Sequence, residues 1–354
     1  YQAMCANTTG SNNTAFGLET LSKNTTGADN TAVGRDALEV NTTGCRNTAV
    51  GFEAGKANTT GVENTFIGRK AGLGATTTDN LTAIGSFALS AAVTGANNTA
   101  VGKSALAANT SGSENVAIGS FAGDSNTTAS GNVFIGKEAG QANTTANGNT
   151  AIGQNTFDAN TTGGSNVAVG NASLGANTIG CRNVAVGHEA MNSNTEGNCN
   201  TAVGRKALVI NTTGDKNTAF GHTALGGLTT GSENTGVGFD VMNSTVTGTG
   251  NTAVGHGNMS SLTSGATNTS IGNSASPALT TGSNNTTAGD ASGISLTTGS
   301  NNLLLGHDAG RTGSPGGIVT TGSNRIALGD ENISNAHIQV DWTVASDQRD
   351  KTDF

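Results

Sequence analysis

Asn30-Thr31-Ala32-Val33-Gly34, repeated 17 residues later as Asn47-Thr48-Ala49-Val50-Gly51, is the stretch on which the reading of this chain turns. The phrase or a close variant begins at Asn13, Asn30, Asn47, Asn64, Asn98, Asn115, Asn132, Asn149, Asn166, Asn183, Asn200, Asn217, Asn234, Asn251, Asn268, Asn285 and Asn302, and Leu81 fills the one slot without Asn. Every step is 17 residues, over eighteen copies. The glycine that closes the phrase is present in each: Gly17, Gly34, Gly51, Gly68, Gly85, Gly102, Gly119, Gly136, Gly153, Gly170, Gly187, Gly204, Gly221, Gly238, Gly255, Gly272, Gly289 and Gly306. Such a residue marks a turn that needs positive φ. A second glycine ends the Asn-Thr-Thr-Gly phrase, as at Gly27, Gly44, Gly61 and Gly214, and gives way only to Thr78, Ala129 and Ala146.

A period kept this strictly means that each unit stacks directly on the last. Helical repeats are longer and carry a 3.6-residue apolar period, which is absent here. Collagen needs glycine at every third residue. The pattern predicts an all-β fold: a parallel β-solenoid, or β-roll, of 17-residue coils, each with two short strands and two turns. Stacked about 4.8 Å apart, eighteen coils make a rod roughly 85 Å long. Strand alternation then assigns the faces. Val33, Val50, Ile67, Ile84, Ile118 and Ile152, at the fourth place of the phrase, are expected to point into the coil, together with Thr31 and Val116 at the second. Ala32, Ala49, Ala100 and Ala151, at the third, are expected to form an outward apolar strip. A second inward row is read from Leu38, Leu89, Leu106, Leu174, Met191, Leu208 and Leu225. One coil buries too little apolar surface to offset the ordering of its residues, at roughly 1–2 kcal/mol each. Stacked Asn and Thr are expected to bond along the rod, and the outward strip to be covered by other copies of the chain.

Composition agrees with a repeat rather than a conventional core. Only 34% of residues are apolar and 3% aromatic, with 54 glycines and 2 prolines. Low charge (11%) separates the chain from disordered sequences, which are charge-rich. A net charge of −8 argues against a nucleic-acid partner. No apolar run approaches the roughly 18 residues that span a bilayer, so no membrane insertion is expected. No signal peptide opens the chain at Tyr1, and a start within a repeat is expected of a segment of a longer protein.

Residues with chemical potential are few. His188, His222, His256 and His307 follow the closing glycine, a place also held by Arg35, Arg69, Lys103, Lys137 and Arg205, which reads as a solvated corner. Neighbouring histidines stand two or more coils apart, at least roughly 10 Å, too far to share an ion; no metal and no cofactor is expected. The acids Glu19, Asp36, Glu53, Glu138 and Glu189 are placed on the same corner and form no catalytic pair. Cys45 and Cys181 share a coil phase eight coils apart, Cys199 is one phase off, and Cys5 is isolated, so small buried thiols are expected. The many Asn-Thr-Thr phrases match the N-glycosylation pattern as a by-product of the repeat. Rows such as Thr42, Thr59 and Thr76 raise an ice-binding reading. It is disfavoured because the paired threonines are adjacent and should point to opposite faces.

Two resemblances follow from these motifs. Asn-Thr-Ala-Val-Gly, with Asn-Val-Ala-Ile-Gly at Asn115 and Asn-Val-Ala-Val-Gly at Asn183, resembles the S-V-A-I-G phrase of trimeric autotransporter adhesin heads. The resemblance implies a parallel β-roll three chains wide, though the coil of those heads is shorter. After Gly306 the spacing breaks, with five extra residues read in Arg311–Gly317 before Asn324 resumes the phrase. An alternating strand is expected over His337–Val344, with Ile338, Val340, Trp342 and Val344 on one face. It runs into Ser346-Asp347-Gln348-Arg349-Asp350-Lys351, which is similar to the S-D-x-R-x-K opening of the endosialidase-type intramolecular chaperone of phage tail fibres and spikes. Asp350 stands where that family has Leu. The resemblance implies a self-cleaving dyad of Ser346 and Lys351, the amine taking the proton of the hydroxyl. The chain is therefore divided into a shaft (1–310), an irregular coil with a terminal strand (311–345) and the start of a chaperone-like segment (346–354). The expected protein is a non-enzymatic, homotrimeric fibre shaft of a viral tail fibre or spike, on the virion or an extracellular surface, whose partners are its own copies and a cell-surface glycan or protein receptor. A bacterial trimeric adhesin and a monomeric ice-binding solenoid are the alternatives.

Overall fold

A computed structural model describes residues 2–335. It is all-β: nineteen short parallel strands, one per coil, form a single continuous sheet and no helix occurs among the described residues. The strands run from β1 (Thr14–Phe16) to β19 (Ile326–Leu328). Each pairs in register with the next, as in Thr31↔Thr48, Ala32↔Ala49 and Val33↔Val50. The register advances by 17 residues per coil as far as β18 (Leu303–Leu305). Coil positions below are counted from the Asn of the phrase, so that Asn30 is position 1 and Arg46 position 17.

The two-residue alternation is present, but its sense is the reverse of the expectation. Ala32, Ala49, Ala100 and Ala151, at position 3, are fully buried, whereas Val50, Ile67, Ile118 and Ile152, at position 4, are exposed. Thr31, Thr48 and Val116, at position 2, also face outward. The cause is the narrowness of the coil. The expected second inward row does point inward, since Leu38, Leu89, Leu106, Leu174, Met191, Leu208 and Leu225 at position 9 are all fully buried. With that row inside, only small side chains fit opposite. Phe66 and Phe134 enter position 3 only where both adjacent position-9 residues are glycine: Gly55 and Gly72 for the first, Gly123 and Gly140 for the second. A Cβ on any of the four would run into the phenyl ring. Leu304 repeats the arrangement with Gly293 and Gly310.

The far side of the coil follows a different rule. From position 12 to position 1 every third residue is buried, as in Asn41, Gly44 and Asn47, and the two between them face solvent. The adjacent threonines at positions 13 and 14 therefore do not take opposite faces; both lie outward, Thr42 half-buried and Thr43 exposed. The Thr42 hydroxyl donates to the carbonyl of Thr59 one coil on. Two rows of buried asparagines line this side. At position 12, Asn41 Nδ2 donates to Asn24 Oδ1 at 2.8 Å. At position 1, Asn47 donates through both its backbone N and Nδ2 to Asn30 Oδ1, and Nδ2 also reaches the carbonyl of Gly61. Buried amides are thus satisfied coil by coil. Within these rows the exceptions mark where a row stops: Asn58 Oδ1 and Asn211 Oδ1 lack a partner, and the residues one coil on are Ala75 and Leu228; Asn155 Oδ1, at position 7, is also unpartnered.

Four residues per coil have positive φ. Gly34 and its equivalents lie at about +130 to +140°, for example +135° at Gly136. Non-glycine residues take the left-handed region at positions 7, 9 and 17, such as Asp36 (60°), Leu38 (48°) and Arg46 (59°). L-residues adopt that region at a cost of roughly 1–2 kcal/mol, which is offset here only by the stacking of identical turns.

The stack does not end at residue 310. β19 pairs with β18 through Leu303↔Ile326, a step of 23 residues, so the insertion adds six residues rather than five. The phrase resumes at Arg325, whose backbone N takes the Asn302 Oδ1 bond that position 1 makes in other coils. Asn324 occupies the left-handed position 17 instead, with φ of 61°. The strand expected over His337–Val344 lies outside the described residues.

Candidate functional site

The feature that distinguishes this surface is the outward side of the sheet. Positions 2 and 4 stand on one face, about 6.6 Å apart along each strand, and repeat about every 4.8 Å along the rod. Position 2 is Thr in most coils and Val, Leu or Ile in the others, while position 4 is Val, Ile, Phe, Leu or once Ala. Phe16 is 76% exposed, Phe220 57% and Ile271 46%. A monomer rarely leaves so long a contiguous apolar strip in water. Strand alternation was the right signal for this face; the error lay in giving its bulky side to the interior.

Position 6, after the closing glycine, is mostly solvated, as its composition implies. The acids expected on the same corner fall at position 7 and are half-buried (Glu19, Glu53, Glu138, Glu189) or buried (Asp36), because that residue turns back toward the coil. His188, His256 and His307 are exposed and His222 is half-buried. Ion pairs link this corner to its neighbours, including Lys70 with Glu53 and Lys206 with Glu189. His222, Phe239 and His256 form a stack, with ring centroids 5.2 and 5.4 Å apart. From the coil of Phe239 the strands lengthen to five residues over three coils, β14 (Thr235–Phe239), β15 (Thr252–His256) and β16 (Thr269–Asn273). His307 lies near three carboxylates, with Asp330 at 3.5 Å and Asp290 and Asp308 at 3.7 Å.

One acidic group escaped the sequence reading. Glu19, Asp36 and Glu39 present carboxylate oxygens within 4.8 Å of one another. The ammonium of Lys56 stands 3.0 Å from Glu39 and 3.5 Å from Asp36 and Glu53. Its hydrogen bond to Glu39 raises the Lys56 pKa above the usual lysine value, against the opposing effect of burial. The cluster is therefore a structural ion-pair network with its cation in place. The signal for it was the three-residue offset of positions 7 and 10 on adjacent coils.

The thiols are not buried as expected. Cys5 and Cys199 are exposed, and Cys45 and Cys181 are half-buried. Cys45, Cys181 and Cys199 stand at positions 16 and 17, which both face outward in the three-residue spacing, so no interior slot exists for them. Ser346 and Lys351 lie outside the described residues.

Compared with known proteins, the chain matches no protein-family model and no curated sequence. The β-solenoid fold and its tandem repeat therefore define the class of protein, and function is argued from the surface.

Proposed function

We propose that this chain is the rigid shaft of a homotrimeric fibre, of the viral tail-fibre type, that serves attachment to a cell surface. The observation that carries the reading is the outward strip of Thr/Val and Val/Ile/Phe along β1 to β16; the last three strands depart from it and lie outside the proposed chain contact. Three such strips turned toward a common axis remove a face roughly 70 Å long from water. At about 25 cal/mol per Å² such burial is a large driving force for association. The chain contacts are made by these bulky positions and not by alanines, which are interior. The rod acts mechanically, as a spacer that sets the distance between its ends, and Ser346 with Lys351 remains the proposed self-cleaving pair. The same arrangement suits a bacterial trimeric adhesin.

One observation favours a different use of the same face. Thr at position 2 and Val or Ile at position 4 form a flat, evenly spaced hydroxyl and methyl array, which a monomeric ice-binding solenoid would leave open to water. Phe16, Phe220 and Leu305 interrupt that regularity, and bulky apolar groups suit a protein contact better. Light scattering on the native particle separates the two readings. A mass three times the 34.7 kDa chain supports the fibre. A single-chain mass overturns it and puts the ice-binding array first.

A further inference from the structure

The last coils carry a groove of about 310 Å³ on the corner between positions 17 and 2. Asn284, Asn301 and Asn324 line one side, Leu303 and Ile326 the other, and Arg325 stands at its end. Its existence follows from the register beyond the six-residue insertion. Position 1 is Asn in all but one of the earlier coils, buried in each from Asn30 on, but here it is Arg325, which is too long to turn inward and is exposed. Its side chain folds back over Gly322, close to where a Cβ there would sit. Among the described residues the guanidinium has no carboxylate partner, although other outward cations such as Arg46 and Lys216 pair with an acid one coil on.

Position 17 is variable along the rod, with Asn also at Asn12, Asn80 and Asn97, but only here do three consecutive described coils carry it. Asn301 Nδ2 donates to Asn324 Oδ1 at 2.7 Å. The amide N–H groups of Asn324 and the carbonyl oxygen of Asn301 make no side-chain bond among the described residues. A donor and an acceptor side by side suit the vicinal hydroxyls of a sugar ring. The guanidinium fork suits a planar carboxylate. Leu303 and Ile326 supply an apolar shoulder for the C–H face of the ring. The volume lies at the small end of ligand sites, enough for a short oligosaccharide and not for a folded partner.

From this we infer that the groove binds an acidic sugar, with its carboxylate on Arg325, its hydroxyls on Asn301 and Asn324, and its ring against Leu303 and Ile326. The inference rests on the attachment reading and names the chemical class of its receptor. The probe is digalacturonic acid titrated calorimetrically into the full chain, with its methyl ester as the neutral control. The acid is expected to bind at least tenfold more tightly than the ester. Arg325→Ala should remove that preference, and Asn324→Ala should weaken the acid several-fold, with the thermal melt and particle mass of both variants unchanged. Equal affinity for acid and ester, or retention of the acid by Arg325→Ala, overturns the inference. So does displacement of the sugar by an equal concentration of sulfate, which would mark charge attraction alone. The mass measurement keeps the two readings apart: a trimer that binds no acidic sugar sinks the groove and leaves the fibre, whereas a monomer that binds it does the opposite.

Discussion

At the scale of single residues, the fold depends on positions where a side chain has nowhere to go. Gly136 has φ of +135°, and a Cβ there would overlap the carbonyl oxygen of Gly153 in the next coil. Gly131 is also left-handed, at +68°, but nothing lies within 4 Å of its Cβ direction. The two glycines therefore predict different outcomes. Gly131→Ala should cost only about 1 kcal/mol, the left-handed penalty alone. Gly136→Val should cost several times more, because the neighbouring coil must also shift. Circular-dichroism melts of the two variants check this, and equal melting temperatures would remove close approach as the reason for the invariant glycine. The asparagine rows give a second prediction. Asn194 donates to Asn177 and accepts from Asn211, all fully buried. Asn194→Ala should cost about 1–3 kcal/mol, since it leaves the buried Asn177 Oδ1 without a donor and Asn211 Nδ2 with only its bond to the Gly214 carbonyl. The same melt at Asn211, already missing one partner, should show a smaller loss.

At the scale of the coil, the interior is a matched set of large and small residues rather than a uniform core. Phe66→Ala should open a cavity flanked by Gly55 and Gly72 and cost about 3–5 kcal/mol. Adding Leu at position 72 to that variant should recover part of the loss, and a double-mutant cycle by chemical denaturation measures how much. This exchange also explains what was legible in the sequence. The 17-residue period, the closing glycine and the position-9 row could all be read from spacing and residue type. The identity of the inner face could not be read from hydrophobicity, which prefers Val33 to Ala32 for burial. The pairing of Phe66 and Phe134 with glycines at position 9 was the available clue, and it is a statement about volume. Acids at position 10 add a pH prediction. Burial raises the carboxyl pKa of Asp124 and Asp158 above the ordinary 3.8. A raised carboxyl favours the fold in its protonated form. That contribution is complete below the ordinary value and is lost as pH rises through the higher folded value. The Asp124→Asn, Asp158→Asn double variant should therefore lose less stability than the parent on going from acid to neutral pH, as read by melts across that range.

At the scale of the whole molecule, the proposed fibre depends on the outward strip for its assembly. Ile118→Asp together with Ile152→Asp, both on exposed position 4 and outside every coil interior, should leave the coil intact and lower the particle mass toward one chain. Unchanged trimer mass in that variant would remove the strip from the chain contact. The candidate groove was hidden in the sequence for a simple reason. Counting five inserted residues aligns Asn324 with the phrase and makes Arg325 an ordinary outward residue, whereas the paired strands require six. One residue of register separates a repeat that looks intact from one whose buried amide has become an exposed guanidinium.

Because nearly every bond that holds the rod together joins one coil to the next, a pull along the axis loads the coil junctions in series, and the weakest sets the breaking force. Between Asn58 and Asn98 both asparagine rows lose members, Ala75 at position 12 and Leu81 at position 1. Apart from the last described coil, where Val319 and Arg325 stand at the same two positions, a rod under tension should part there first, as a preset fracture plane about a quarter of the way along its length.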